Sequence, residues 1–220
     1  MKDYRKFVFV LIAVALVNLI AMLIVMPDPS VQVPVHFNYN FEVDRMGSAW
    51  MLPVFPAITL LFTIGIAVEQ KIRGRDYANN KPLTIFACAF VALFIAIGWV
   101  MYAMMGSGAQ MGEQVEMPLD LIMGLGMSVL FIIMGNYMPV IKPNRTFGIK
   151  IPATFKSEEI WRRTHRFAGP VFVAGGAFSA VMALIGHFAD LSWLIFVGLM
   201  VGIFAPCLIV LSYAHRLARD

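Results

Sequence analysis

The chain has 220 residues, of which 60% are apolar and only 14% charged, with a mean hydropathy of +0.79. That composition excludes an ordinary soluble fold, and its apolar runs have the length needed to cross a hydrocarbon core roughly 30 Å thick. The net charge of +4 says little as a sum; the distribution of the charges says more.

In chain order, MKDYRK precedes a first apolar run from about Phe7 to Met26. Its core is longer than that of a secretory signal and no small-residue cleavage pattern follows, so a retained transmembrane helix is expected. Pro27, Pro29 and Pro34 stop it and open a loop over 27–50. A second run covers about Met51 to Val68, with Pro53 and Pro56 tolerable in its first turns, and the hydrophilic KIRGRDYANNK follows. The third spans about Pro82 to Met105 and leads into GSGAQMGEQVEM, a polar link without a basic residue. Pro118 opens the fourth, to about Met138, and a long polar stretch comes next. The fifth run covers Gly169 to Phe188, ADLS makes a short link, and the sixth runs from about Trp193 to Tyr213 before HRLARD. The expectation is an all-α membrane protein with six transmembrane helices in one integral unit. Residues 1–81 hold helices one and two with the loop 27–50; residues 82–220 hold helices three to six with a loop at 139–168.

Six crossings put both termini on one side, and that side carries 16 of the 17 lysines and arginines. The other side has Arg45 beside Asp28, Glu42, Asp44, Glu113, Glu116, Asp120 and Asp190. By the positive-inside rule the termini and the 139–168 loop are cytosolic, an N-in/C-in arrangement. Trp50 and Trp193 fall at the outer boundary and Trp161 at the inner one, as aromatic belts prefer. Cys88 and Cys207 sit inside apolar runs without a CxxC and are expected to pack rather than bond. Small residues four apart (Gly124 and Ser128, Gly175 and Ser179, Gly176 and Ala180) predict close helix approach. The buried polar groups expected in the spans are Asn18, Thr59, Thr63, Ser128, Asn136 and Ser179. No charged group falls near the middle of a run, where ion-coupled transporters keep one.

The outer loop VPVHFNYNFEVDRMGSAW brings together His36, Asn38, Asn40, Glu42, Asp44 and Arg45. One histidine with scattered carboxylates is a poor metal set, and no metal or cofactor is expected. Two readings stay open: a hydrogen-bonded cap on helices one and two, or a recognition surface whose acidity draws a cationic ligand. His187, near the outer end of helix five, reads first as an interfacial histidine, the alternative being that it joins His36 in space.

The stretch Gly135–Pro170 is the longest polar segment between apolar runs, with 7 basic residues against 2 acids. Asn136 and Pro139 end helix four. KPNRTFGIKIPAT follows as a turn and extended arm, in which Pro143-Asn144 favours the turn, Gly148 allows positive φ and Pro152 extends Ile151. KSEEIWRRTHRFAGP then makes a short amphipathic helix, capped by Ser157 and closed or bent at Gly169-Pro170. Glu158 with Arg162 and Glu159 with Arg163 are four apart, and Trp161, Thr164, His165 and Ala168 share a face. That helix fits the inner membrane surface and anionic lipid, or docking against the loop or a cytosolic protein. The sequence has no P-loop, dinucleotide turn or HExxH, and a site from Asp76, Glu158 and His165 would need tertiary assembly. A non-enzymatic protein is therefore expected, the alternative being a small transporter or a membrane enzyme acting on a lipid or peptide.

These two loops resemble those of the SdpI family of bacterial six-helix membrane proteins. The likeness rests on Gly135, Asn136 and Pro139; on Asn144, Gly148, Ile149, Lys150 and Pro152; and on Trp161, Thr164, His165, Arg166 and Gly169. In the outer loop it rests on Pro34, His36, Phe37 and Asn38 and on Asp44, Arg45, Gly47 and Ser48. Phe41 stands where that family's pattern usually has glycine. The resemblance implies an immunity and signalling protein of the bacterial plasma membrane. Outside the cell it would meet a secreted peptide toxin, with His36, Asn38, Asp44 and Arg45 as ligand candidates. Inside, it would hold a small transcriptional repressor without touching nucleic acid itself. Its other partners are the membrane lipids.

Overall fold

The computed structural model describes residues 4–74, 78–106, 112, 118–144 and 146–219. Asp76, Arg145 and most of the link between the third and fourth runs, with Glu113 and Glu116, lie outside the described residues. Six helices dominate: α1 (Tyr4–Val25), α2 (Val54–Arg73), α3 (Asn80–Gly106), α4 (Leu119–Tyr137), α5 (Glu158–Phe188) and α6 (Trp193–Leu217). Each is long and apolar enough to cross a membrane. Helices are what apolar runs of this length must form in lipid, because every backbone N–H and C=O has to be satisfied within the segment.

The helices pack as two trios. α1, α2 and α3 contact one another, α4, α5 and α6 do likewise, and α3 against α4 joins the halves. Within the second trio the backbones come very close. A Cβ on Gly176 would lie 2.8 Å from the Ser128 carbonyl oxygen, and one on Gly135 would lie 2.7 Å from the Val173 nitrogen. The Ser179 hydroxyl, on the same helix, donates to the Gly198 carbonyl of α6 at 2.9 Å. The small residues four apart are the packing surface expected of them, since lipid offers no hydrophobic gain and contact area has to do the work.

Two expectations change. The loop 27–50 is not irregular: it folds into an antiparallel hairpin of β1 (Gln32–Phe37) and β2 (Val43–Ser48), with Gln32 opposite Ser48 and Phe37 opposite Val43. "All-α" therefore holds for the spanning part only. The hairpin closes on Asn38, whose side-chain oxygen accepts from the Asn40 and Glu42 amides at 2.9 and 3.1 Å, while its amide group donates to the Glu42 carboxylate at 2.7 Å. Asn in this role supplies a local substitute for a backbone turn.

The short amphipathic helix is likewise not separate; residues 158–168 are the first turns of the 31-residue α5, which runs on through Gly169 and Pro170. The proline forgoes one hydrogen bond, a cost of about 3 kcal/mol in an isolated helix. Close packing of α5 on α4 at Gly169, and on α6 at Phe167 and Gly175, offsets it. Ser157 does cap the helix, accepting from the Ile160 amide at 3.1 Å.

The alternation of helix directions defines two ends. One holds the hairpin, Gly112, whose amide donates to the Val43 carbonyl at 2.8 Å, and the α5–α6 turn. The other holds the 138–157 loop, the α2–α3 connection and the C-terminal end of α6; Lys156 Nζ on the Ala218 carbonyl at 2.9 Å ties the loop to α6.

Candidate functional site

The loop end is built around two adjacent turns of α5. Trp161 and His165 are fully buried and stack ring on ring, centroids 4.1 Å apart and 17° from parallel. Trp161 Nε1 donates to the Ile141 carbonyl at 2.9 Å. His165 Nε2 accepts the Ile149 amide at 3.0 Å, and Nδ1 faces the Trp161 carbonyl at 2.9 Å. An acceptor Nε2 with a carbonyl opposite Nδ1 requires the neutral ring protonated on Nδ1. The loop passes so near this ring that only glycine fits at position 148. Its φ is +109°, and a Cβ there would lie 2.5 Å from His165 Nε2.

The loop then satisfies itself. Asn144 Nδ2 donates to the Lys142 and Phe147 carbonyls at 2.8 and 2.9 Å, and its Oδ1 accepts from the Thr146 and Phe147 amides at 2.8 and 2.6 Å. Lys150 Nζ reaches back to the Thr146 carbonyl at 3.0 Å, and Pro152, itself exposed, opens a turn whose Ala153 and Thr154 are buried. Pro139 lies in the short 3₁₀ turn Met138–Val140, against which Gly169 packs so closely that a Cβ would be 2.8 Å from the proline ring. Thr164 is fully buried on the same face of α5. Of the signature residues, Trp161, Thr164, His165, Asn144 and Gly169 are interior, whereas Asn136, Lys150, Pro152 and Arg166 are exposed. Asn136 is therefore not the buried group expected. The Trp161 face of α5 meets the loop of its own chain.

Two residues not singled out in the sequence complete this end. Asn79, fully buried just before α3, pairs both ways with the Lys142 backbone: Nδ2 to its carbonyl at 3.0 Å, and Oδ1 from its amide at 2.9 Å. Thr154, also buried, donates to the Ile149 and Ile151 carbonyls at 2.8 and 2.9 Å. Adjacent asparagines at a helix start are the only local signal, and they point equally to an ordinary cap. On the outside of α5, Arg162 bonds Glu159 at 2.6 Å, three residues away rather than the expected four.

The hairpin end is hollow. A cavity of about 630 Å³ lies between the hairpin and the helix ends. Val35, Phe37, Tyr39 and Phe41 roof it; Phe55 of α2, Ile97 and Met101 of α3, Leu119 and Met123 of α4, and Phe196 and Leu199 of α6 line the rest. Its polar lining comes from His36 and Asn38. Phe41 has φ +59°, a left-handed conformation disfavoured by roughly 1–2 kcal/mol for a residue with a Cβ. Glycine would adopt it freely, so the phenyl is carried here against a local backbone cost. His36 Nδ1 pairs with Asp44 at 2.6 Å, both groups exposed, and Arg45 is exposed on β2. His187 pairs instead with Asp120 at 3.0 Å, bridging α4 and α5, so the two histidines hold separate carboxylates. Near the base of the hairpin, the Ser30 hydroxyl and amide hold the Asp28 carboxyl below the usual carboxylate range.

Residues 140–213 match the family described as the SdpI/YfhL protein family, and residues 13–60 match a domain of unknown function designated DUF1648. Immunity protein SdpI of Bacillus subtilis (strain 168) is 24% identical over 159 residues, covering 69% of this chain and 69% of that protein. No solved structure matches the chain.

Proposed function

We propose, for a chain whose residues 140–213 match the SdpI/YfhL protein family, the role of a bacterial immunity protein of the plasma membrane. The observation that carries this is the similarity to an immunity protein over 69% of the chain, on a scaffold of six membrane-crossing helices. In this reading the hairpin end faces outward and meets a secreted toxic peptide. The loop end and both termini face the cytosol, in keeping with the lysines and arginines gathered there.

The same reading gives the cytosolic face a small transcriptional repressor as partner. With Trp161 and His165 buried, contact falls to the outer surface of the loop and the first turns of α5: Lys150, Phe155, Lys156, Arg162, Arg163 and Arg166, all exposed. The role is non-enzymatic. Both nitrogens of His165 hold the chain's own backbone, which leaves that imidazole no atom for acid–base chemistry.

The test is protection. A bacterium sensitive to a secreted peptide toxin is expected to survive at least 10-fold more toxin when this chain is expressed. Equal killing with and without a correctly inserted chain would sink the reading. Single cysteines at Tyr39 and Lys150 should label from opposite sides of the membrane, and labelling from the same side would overturn the orientation.

A further inference from the structure

We infer that the cavity beneath the hairpin is a binding site for an apolar segment of a peptide that carries lysine or arginine beside it. The inference rests on the immunity reading for the source of the peptide, and on the hairpin end itself for the chemistry.

A volume of about 630 Å³ lies within the range of roughly 300–1,000 Å³ usual for ligand sites, as does a largely apolar wall with a few polar groups. The space is open on one side rather than a sealed void, so it is reachable from outside the bundle. Here the chain keeps Phe41 in a left-handed backbone conformation where its ring lines the cavity. Strain of this kind persists where the surroundings hold it, typically at ligand clamps.

The charge around the hairpin selects the occupant. Among the described residues of that end, Asp28, Glu42, Asp44, Asp120 and Asp190 stand against Arg45. Two of these acids adjoin the cavity's polar lining, Asp44 through His36 and Glu42 through Asn38. An acyl chain belonging to an anionic lipid would bring its phosphate against these carboxylates. A cationic peptide would bring lysine or arginine to them while its apolar side chains enter beneath Phe41. The carboxylates would also raise the local concentration of a cationic ligand before contact. Exposed Tyr39 at the hairpin tip adds an aromatic face for such a cation.

The experiment uses the full chain in nanodiscs of a zwitterionic lipid, with three probes: fluorescein-labelled Lys-Lys-Leu-Phe-Leu-Phe, the same peptide with two glutamates in place of the lysines, and oleate. Saturable binding of the lysine peptide is expected, at least 10-fold tighter than that of the glutamate peptide. Filling the cavity with Leu199→Trp or Met123→Trp should weaken it at least 10-fold with the melting temperature little changed, and Asp44→Asn about threefold. Equal binding by the two peptides, undiminished binding in both filled variants, or displacement of the lysine peptide by oleate at lower concentration would each overturn the proposal. Should one tryptophan variant misfold, the other and Phe41→Gly carry the test. Toxin protection separates the two levels. Protection that survives both fillings ends the cavity proposal and leaves the immunity reading standing, whereas peptide binding without protection does the reverse.

Discussion

The two ends of the bundle solve opposite problems with the same backbone device. At the loop end Gly148 takes a positive φ because a buried histidine fills the space its side chain would need. At the hairpin end Phe41 takes a positive φ although it has a side chain, and that ring lines an open cavity. At one end Trp161, His165, Asn144, Asn79 and Thr154 are all bonded to loop backbone, which leaves a cleft of about 260 Å³ between residues 139–143 and the first turns of α5. The other keeps more than twice that space. The lesson is that a polar, proline-rich stretch with a distinctive motif need not be a ligand surface. Its most distinctive residues here form a plug that holds the loop onto α5.

The sharpest way to break that contrast is to empty the plug. Trp161→Ala removes a fully buried indole and its bond to Ile141, and should cost about 3–5 kcal/mol, read as a large fall in melting temperature in detergent. A drop no greater than that of a surface substitution would mean that the loop is not anchored there. Next comes Gly148→Ala, which imposes a positive φ and a collision with His165, for an expected loss of about 1–3 kcal/mol. Hydrogen exchange at the Ile149 amide should rise with it; unchanged protection would count against the Ile149–His165 bond.

Phe41→Gly is the mirror experiment. It relieves a backbone cost of roughly 1–2 kcal/mol and loses a partly buried ring, so stability should change by less than about 1 kcal/mol. Toxin protection should nevertheless fall, and a variant that protects like the wild type would remove Phe41 from the site. The smallest effect is expected at the surface of the plug. Arg162→Gln breaks an exposed pair worth about 0–1 kcal/mol, leaves the fold alone, and should weaken only capture of a cytosolic partner.

The six crossings, their order, the clustering of basic residues in alternate loops and the Ser157 cap were all legible in the chain. Hydropathy, charge and capping act over lengths no greater than a helix, so a linear reading suffices for them. Close approach of α4 and α5 was legible too, because small residues recur at the helix repeat. The continuity of α5 through Pro170 was not: a proline stops a helix locally, and only packing from two neighbouring helices overrides that preference. The hairpin was missed for a related reason. Its strands are short, Pro34 interrupts one of them, and the fold of the turn depends on Asn38 and Phe41 rather than on alternation.

The sequence by itself determined a multipass membrane protein with two polar ends of different charge, since the bilayer fixes helix length and excludes unpaired backbone. Only the tertiary structure decided that the hairpin end keeps a space of about 630 Å³ while the loop end keeps one of about 260 Å³ beside Trp161. Whether Trp161 and His165 meet solvent or the Ile141 and Ile149 backbone depends on contacts between segments far apart in the chain. The Asn79–Lys142 clamp, 63 residues apart, is of the same kind. So is the cavity, whose walls come from four helices and a hairpin that no local pattern brings together.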